Sequence, residues 1–261
     1  MKLQFEGVGF GYPEQAPILS DINLTLNSGE RLLLIGRNGS GKSTLAYLAA
    51  GILAPTAGRI RWSGSPDTAD APLPARKVGI VFQQSRAQIV GTTPEEDLAF
   101  GLSLLQLPAS RIRAKVDHYL ELFQLTERRN QSVNHLSGGE LRRLALAAVL
   151  ITEPALLILD EPMAMLDYAN RQILLDCLRQ SVPAETAVLW LDHDLRNCRH
   201  CRRWMLLNRE GRVQDVSLGE LSSESFLKGE QLEPAPLQFL EWLHPESVSK
   251  AIFGPERMII T

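Results

Sequence analysis

The strongest chemical signal in the sequence is a glycine-rich segment that begins at Gly36. It reads G-R-N-G-S-G-K-S and is followed by Thr44, which matches the G-x-x-x-x-G-K-[ST] pattern of phosphate-binding loops. The glycines let consecutive backbone N–H groups face a phosphate, Lys42 would reach the β- and γ-phosphates, and the Ser43 hydroxyl would bind Mg²⁺. The predicted ligand-binding residues of this loop are Gly36, Asn38, Gly39, Ser40, Gly41, Lys42, Ser43 and Thr44.

Two adjacent acids, Asp160 and Glu161, follow an apolar run that reads A-L-L-I-L. A buried carboxylate without a partner is costly, and Mg²⁺ is a suitable partner for Asp160, directly or through water. Glu161, one residue further on, could then polarise an attacking water molecule. The simpler alternative is a pair of strand-end acids facing solvent, which the phosphate-binding loop in the same chain disfavours.

A second candidate anion site begins at Ser137. The segment L-S-G-G-E at 136–140 precedes a helical pattern, so the hydroxyl of Ser137 and the N–H groups of Gly138 and Gly139 would lie at a helix start. Two such helix starts in one chain require either two phosphates or one nucleotide that is shared between two copies of the chain.

Short apolar runs separated by glycine-rich breaks predict the strands that position these groups. Expected strands are 2–5, 22–26, 31–35, 59–62, 78–83, 156–159 and 187–191, with a hairpin of 204–207 and 212–216 after a short helix that follows His193. The runs at 156–159 and 187–191 are wholly apolar, which is typical of central strands in a parallel sheet.

Helical patterns dominate the segment from about 84 to 153. One helix is expected to open at Pro94, another to be capped by Ser110, and a third to start near Ser137. A helix over 44–52 follows the phosphate-binding loop. These patterns predict an α/β domain over 1–216, with a helical subdomain inserted at about 84–153. Residues 217–261 form a short extension in which short helices alternate with prolines.

Composition excludes several classes of protein. The 261 residues are 44% hydrophobic and carry a net charge of -3, which excludes a disordered chain and disfavours nucleic acid as a partner. Three cysteines are too few for a disulfide scaffold, so a reducing compartment is expected. The N-terminus has no signal-peptide pattern, and no apolar run approaches the ~20 residues of a membrane-spanning helix.

These motifs together resemble the ATP-binding-cassette (ABC) ATPases over roughly residues 1–216. The resemblance implies a P-loop NTPase core with a parallel sheet, an antiparallel β part near the N-terminus and an inserted helical subdomain. It also implies an ATPase that uses ATP and Mg²⁺. Two head-to-tail copies, as a homo- or heterodimer, would bury two ATP molecules, with the Ser137 segment of one copy closing over ATP on the other.

The same resemblance assigns four further residues. Tyr12 matches the aromatic residue that stacks on adenine, and Gln83 matches the Q-loop glutamine, which belongs with Ser43 and Asp160 among the expected metal ligands. His193 matches the switch histidine that senses the γ-phosphate. Asp167 matches the D-loop acid.

The segment 88–101, Q-I-V-G-T-T-P-E-E-D-L-A-F-G, closely resembles the corresponding segment of energy-coupling-factor importer ATPases. This resemblance implies uptake of a vitamin or of a cobalt or nickel ion, and a transmembrane partner subunit that binds at about 84–101. The chain would then be cytoplasmic and peripheral on the inner face of the membrane. The alternative is a soluble ABC-type ATPase switch, as in iron–sulfur assembly or translation, without a membrane subunit.

Overall fold

A computed structural model describes residues 2–63, 77–230 and 232. These residues form two compact units, one made of 2–63 with 188–230 and 232, and the other of 77–187. The helices expected among the prolines from Pro234 onward lie outside the described residues.

The strands of the described chain are β1 (Lys2–Phe10), β2 (Leu19–Asn27), β3 (Arg31–Ile35), β4 (Ala57–Ser63), β5 (Val78–Val81), β6 (Leu156–Asp160), β7 (Ala187–Asp192), β8 (Arg203–Leu207) and β9 (Val213–Asp215). The α-helices are α1 (Lys42–Ala49), α2 (Pro94–Ser103), α3 (Ala109–Leu122), α4 (Gly138–Leu150), α5 (Tyr168–Ser181), α6 (Leu218–Leu221) and α7 (Glu224–Glu230). Short 3₁₀ helices cover Ser85–Gln88, Thr126–Arg128, Val133–His135 and Leu195–His200.

The first unit contains two kinds of sheet. Strands β1, β2 and β4 form an antiparallel sheet in the order β2-β1-β4. Residues of β1 alternate between buried and partly exposed on either side of a register shift between Phe5 and Val8, as expected for a sheet with one covered face. Strand β3 pairs in parallel with both β7 and β8, and β9 pairs antiparallel with β8. Strand β7 is buried along its whole length, which explains its apolar sequence from Ala187 to Leu191.

The second unit is built around helix α4 and the parallel pair β5–β6. Residues Val81 and Leu159 are opposite each other in this pair, so both strands end at the same edge. Leu98 and Leu102 of α2, Leu120 of α3 and Leu144 of α4 are completely buried. These helices therefore share one apolar core within the unit.

The element predictions differ from the structure at several ends. The strand expected at 78–83 ends at Val81, and the helix expected at 44–52 begins at Lys42 and ends at Ala49. The expected cap at Ser110 is wrong, because α3 begins at Ala109 after Pro108. The carbonyl of Pro108 accepts from the N–H groups of Arg111 and Ile112, and the fixed φ of proline favours a helix start there.

Candidate functional site

The phosphate-binding loop lies in the first unit, between β3 and α1. Gly39 and Gly41 have φ angles of 78° and 101°, a region that side chains with a Cβ rarely occupy. A Cβ on Gly41 would lie 2.7 Å from the Ile18 side chain. Glycine is therefore required at this position for both conformational and steric reasons.

Lys42 and Ser40 give the loop the character of an anion site. Lys42 is 5% exposed, and its Nζ donates to the carbonyl oxygens of Gly36 at 2.7 Å and Arg37 at 3.1 Å. The buried hydroxyl of Ser40 has no hydrogen-bond partner among the described residues. A buried polar group of this kind is costly unless a ligand satisfies it, so these residues fit a bound phosphate.

His193 lies at the same sheet edge as this loop. In the parallel pairing of β3 with β7, Ile35 is opposite Asp192, so Gly36 and His193 each follow directly at the ends of neighbouring strands. The imidazole of His193 is 45% exposed. Within the first unit, the structure thus brings the predicted phosphate loop and the predicted γ-phosphate sensor to one edge.

The buried carboxylate of Asp192 organises the backbone around His193, and sequence reasoning missed it. It accepts hydrogen bonds from the N–H groups of His193 at 2.8 Å and Asp194 at 3.0 Å, from Trp190 Nε1 at 3.1 Å and from Asn197 Nδ2 at 2.8 Å. Burial raises the pKa of Asp192, although the hydrogen bonds from Asp194, Trp190 and His193 oppose the shift. The signal in the sequence that could have identified Asp192 is an acid at the end of an apolar strand.

Tyr12 follows β1 in the first unit. Its ring packs edge to face against Phe10, with 5.1 Å between the ring centroids. Its adenine-stacking role stays a prediction.

In the second unit, the side chains of Gln83 and Glu161 are hydrogen-bonded. Gln83 follows β5 and Glu161 follows β6, and Gln83 Nε2 donates to Glu161 Oε2 at 2.8 Å. Asp160 and Glu161 are 6% and 8% exposed. The alternative of solvent-facing acids is therefore wrong, because both carboxylates are buried at the strand end.

The backbone sets the direction of Glu161. Its φ angle is 47°, the left-handed region that non-glycine residues adopt at a cost of about 1–3 kcal/mol. The next turn is closed by a hydrogen bond from Ala164 N to Glu161 O at 3.1 Å. Beyond it, Met163 is buried and Met165 is fully exposed.

A capping box holds the start of α4. The Ser137 hydroxyl accepts from Glu140 N at 3.3 Å, and the Glu140 carboxylate accepts from Ser137 N at 2.7 Å. Burial raises the pKa of Glu140, but hydrogen bonds from Arg128 and Ser137 outweigh it and hold the value at about 2. The predicted helix start at Ser137 is thus confirmed, with its hydroxyl engaged by the backbone of the same helix.

A model of one family, described as the ABC transporter family, matches residues 19–164 of the chain. The chain belongs to this family. As a member of the ABC transporter family it is an ATPase, and the predicted family, fold class and enzymatic activity are confirmed.

Individual relatives place the chain among ATP-binding proteins of ABC transporters. A putative ABC transporter ATP-binding protein of Nostoc sp. is 39% identical over 215 residues, which cover 81% of this chain and 78% of the relative. The energy-coupling factor transporter ATP-binding protein EcfA of Syntrophomonas wolfei is 36% identical over 214 residues, which cover 80% and 78%. The structure of cbiO1 from Clostridium perfringens, part of the ABC transporter complex cbiONQ, matches with a TM-score of 0.71 and 29% identity over 86% of this chain and 92% of that one.

Within this ABC ATPase, Asn170 connects Asp167 to the Ser137 segment. Asp167 caps α5 by accepting from Asn170 N at 2.8 Å and Asn170 Nδ2 at 2.9 Å. Asn170 Oδ1 accepts from Arg143 Nη1 at 2.9 Å, and a Cβ on Gly139 would lie 2.4 Å from the same side-chain oxygen. Sequence reasoning missed Asn170. The signal that could have identified it is its position three residues after Asp167, an acid that caps a helix.

The helices of the described residues include none that is long and apolar enough to span a bilayer.

Proposed function

We propose that this chain is the ATP-binding and hydrolysing subunit of an energy-coupling-factor importer for a vitamin or a transition-metal ion. Its similarity to an EcfA protein and to cbiO1 supports this assignment, as does the segment 88–101. ATP-driven closure of a head-to-tail dimer would power transport, with the chain bound peripherally at the inner face of the membrane.

The single observation that carries the hydrolytic role is the contact between Gln83 and Glu161. A buried acid that follows a strand-end Asp and is oriented by an amide side chain has the features of a positioned general base. Glu161 would accept a proton from the attacking water, and the Gln83 amide would hold the carboxylate in place.

The phosphates and the metal ion would be held by different residues. Lys42, Ser40 and the backbone N–H groups of the loop bind the phosphates, and the remaining loop residues shape that backbone. Ser43, Gln83 and Asp160 offer oxygen atoms, which Mg²⁺ prefers as ligands. When bound, Mg²⁺ neutralises charge on the β- and γ-phosphates.

The other proposed contacts involve the adenine, the γ-phosphate and the nucleotide of the partner copy. Tyr12 stacks on adenine and His193 contacts the γ-phosphate. In a head-to-tail dimer, Ser137, Gly138, Gly139 and Asp167 act on the nucleotide held by the partner copy. A Cβ placed on Gly138 would meet no atom of the described residues within 4 Å, and this open space at the start of α4 supports access of a ligand to the segment.

The proposed contact with a transmembrane subunit lies at residues 84–101. Asp97 and Leu98 belong to this segment but are buried, so we leave them out of the proposed contact surface. Asp97 accepts from the N–H groups of Val90 at 2.8 Å and Gly91 at 2.9 Å, so it shapes the loop ahead of α2. Val90 and Phe100 are 65% and 48% exposed, and we propose them as the apolar contacts of this surface.

Affinity purification in a mild detergent tests the importer assignment. A tagged chain is expressed in its native host, solubilised and purified, and the co-purifying proteins are identified by mass spectrometry. A polytopic membrane protein in stoichiometric amount is expected. An active ATPase that recovers no membrane protein would instead indicate the soluble switch.

A further inference from the structure

Arg142 is an unusually buried cation on helix α4. Its side chain is 5% exposed, whereas arginine is almost never fully buried unless it is paired. Its Nη1 donates to the carbonyl oxygen of Phe82 at 2.8 Å. Because Phe82 directly precedes Gln83, this hydrogen bond fixes the backbone from which the Gln83 side chain reaches Glu161.

The charge of Arg142 acts on the two acids that follow β6. Burial lowers the pKa of Arg142, while attraction to Asp160 and to Glu161 raises it. Both acids are more than nine-tenths buried, and a negative charge is costly in surroundings that screen charge poorly unless a cation lies nearby. The buried guanidinium of Arg142, in the same unit, offsets this cost.

We propose that Arg142 is a positioning residue for ATP hydrolysis, which holds the backbone ahead of Gln83 and offsets the negative charge of Asp160 and Glu161. Arg142 acts through these three residues and does not itself touch the nucleotide. The proposal rests on the proposed role of Glu161 as the base, and it adds a residue of helix α4 to the residues that support hydrolysis in the same copy.

Steady-state kinetics of three variants give the first test. Arg142→Met is expected to lower kcat about 10–100-fold, the usual effect of losing a residue that orients a catalytic or metal-binding group, and to change KM for ATP by less than about threefold. Arg142→Lys keeps the charge and is expected to recover most of kcat. Lys115→Met removes the same charge from an ion pair with Glu153 in the same unit, and its kcat should match that of the wild type.

A double-mutant cycle on thermal stability gives a second test that does not depend on activity. Arg142→Met should lower Tm in the wild-type background. The same substitution in the Glu161→Gln background should lower Tm by at most about half as much, because one of the two charges that Arg142 offsets is then absent. Arg142→Gln, which keeps a donor for the Phe82 carbonyl, replaces Arg142→Met in the cycle if that variant does not fold.

Two outcomes overturn the proposal. Additive Tm losses would mean that Arg142 does not act on Glu161, and an equal loss of activity in Arg142→Lys and Arg142→Met would mean that its charge is irrelevant. Normal turnover by Glu161→Gln alone is a separate result, which refutes the proposed base and not the Arg142 contact.

Discussion

The side-chain amide of Gln83 lies 2.8 Å from the carboxylate of Glu161, although the two residues are 78 positions apart in the sequence. The contact joins the segments that follow two neighbouring parallel strands, β5 and β6. The side chain of the proposed base therefore accepts a hydrogen bond from the segment after β5, which continues into the surface proposed for the membrane subunit. If that subunit moves the segment, we expect the Gln83–Glu161 hydrogen bond to change with it.

Glu161→Gln is expected to leave ATP binding intact and to reduce hydrolysis by about 10²–10⁴-fold, the usual contribution of a positioned base. The amide keeps the shape of the side chain and can still accept from Gln83. Nucleotide titration and single-turnover hydrolysis measure the two effects. The variant should also accumulate as an ATP-bound dimer in size-exclusion chromatography, and normal turnover would contradict the assignment.

Lys42→Ala should weaken nucleotide binding itself. Hydrogen bonds to charged groups contribute about 1.5–3 kcal/mol, so the dissociation constant for ATP should rise by about 10–100-fold. Isothermal titration gives the value, and Lys115→Ala serves as the control for loss of one lysine. An unchanged ATP affinity in Lys42→Ala would exclude this lysine as a phosphate ligand.

Phe100→Asp should weaken the association with the membrane subunit and leave the ATPase folded. Phe100 is 48% exposed, so the change removes about half of the apolar burial of a phenylalanine and should lower stability by about 1–2 kcal/mol, less than the 5–15 kcal/mol that typically holds a domain folded. A charge placed against an apolar partner surface should lower binding by about 2–4 kcal/mol. Detergent pull-down, ATPase activity and Tm are measured together.

Ile52→Asp is the matched control for Phe100→Asp, since Ile52 is similarly exposed, at 58%, and lies outside the proposed surface. It should recover the membrane subunit as the wild type does. Full recovery by Phe100→Asp would place the contact elsewhere.

Gly139 and Gly138 should differ sharply in their tolerance of alanine. A Cβ on Gly139 would clash with Asn170, which is held by Asp167 and Arg143, so Gly139→Ala should lower the free energy of unfolding by about 1–3 kcal/mol. A Cβ on Gly138 would have no atom of the described residues within 4 Å, so Gly138→Ala should change the free energy of unfolding by less than about 0.5 kcal/mol. Denaturant unfolding of both variants decides the comparison, and equal stabilities would contradict it.

Glu140 should stabilise the fold in a pH-dependent way. Its pKa is held at about 2, below its ordinary 4.5, so its contribution is complete above pH 4.5 and is lost as the pH falls towards about 2. The stability difference between the wild type and Glu140→Gln, measured by denaturant unfolding, should therefore be constant near neutral pH and shrink in that acidic range. A difference that does not shrink would assign the effect to packing.

Local patterns predicted the elements that depend on neighbouring residues. The loop from Gly36 to Ser43 requires glycine at positions that its own backbone geometry dictates, and the Ser137 cap is recognised from a serine and a glutamate three residues apart. Strands β6 and β7 are apolar up to their final aspartate, and both are buried throughout. Sequence alone therefore indicates these elements.

Contacts between distant segments could not be predicted in the same way. Leu98 and Asp97 look like surface residues in an acidic helical turn, but the packing of α2 buries both. The Gln83–Glu161 contact and the burial of Arg142 depend on which strands and helices become neighbours, and no local spacing specifies this. The sequence therefore indicated the candidate site residues individually. It did not indicate the contacts between them, or the supporting residues Arg142, Asn170 and Asp192.

At Glu161, whose backbone has a left-handed conformation, the residue that favours stability differs from the residue that the proposed hydrolysis needs. Glycine adopts this conformation without the steric cost that glutamate bears. Glu161→Gly would relieve this backbone strain, but it would also remove the proposed base. In our proposal, the glutamate at this position provides the base for ATP hydrolysis at the cost of a strained backbone.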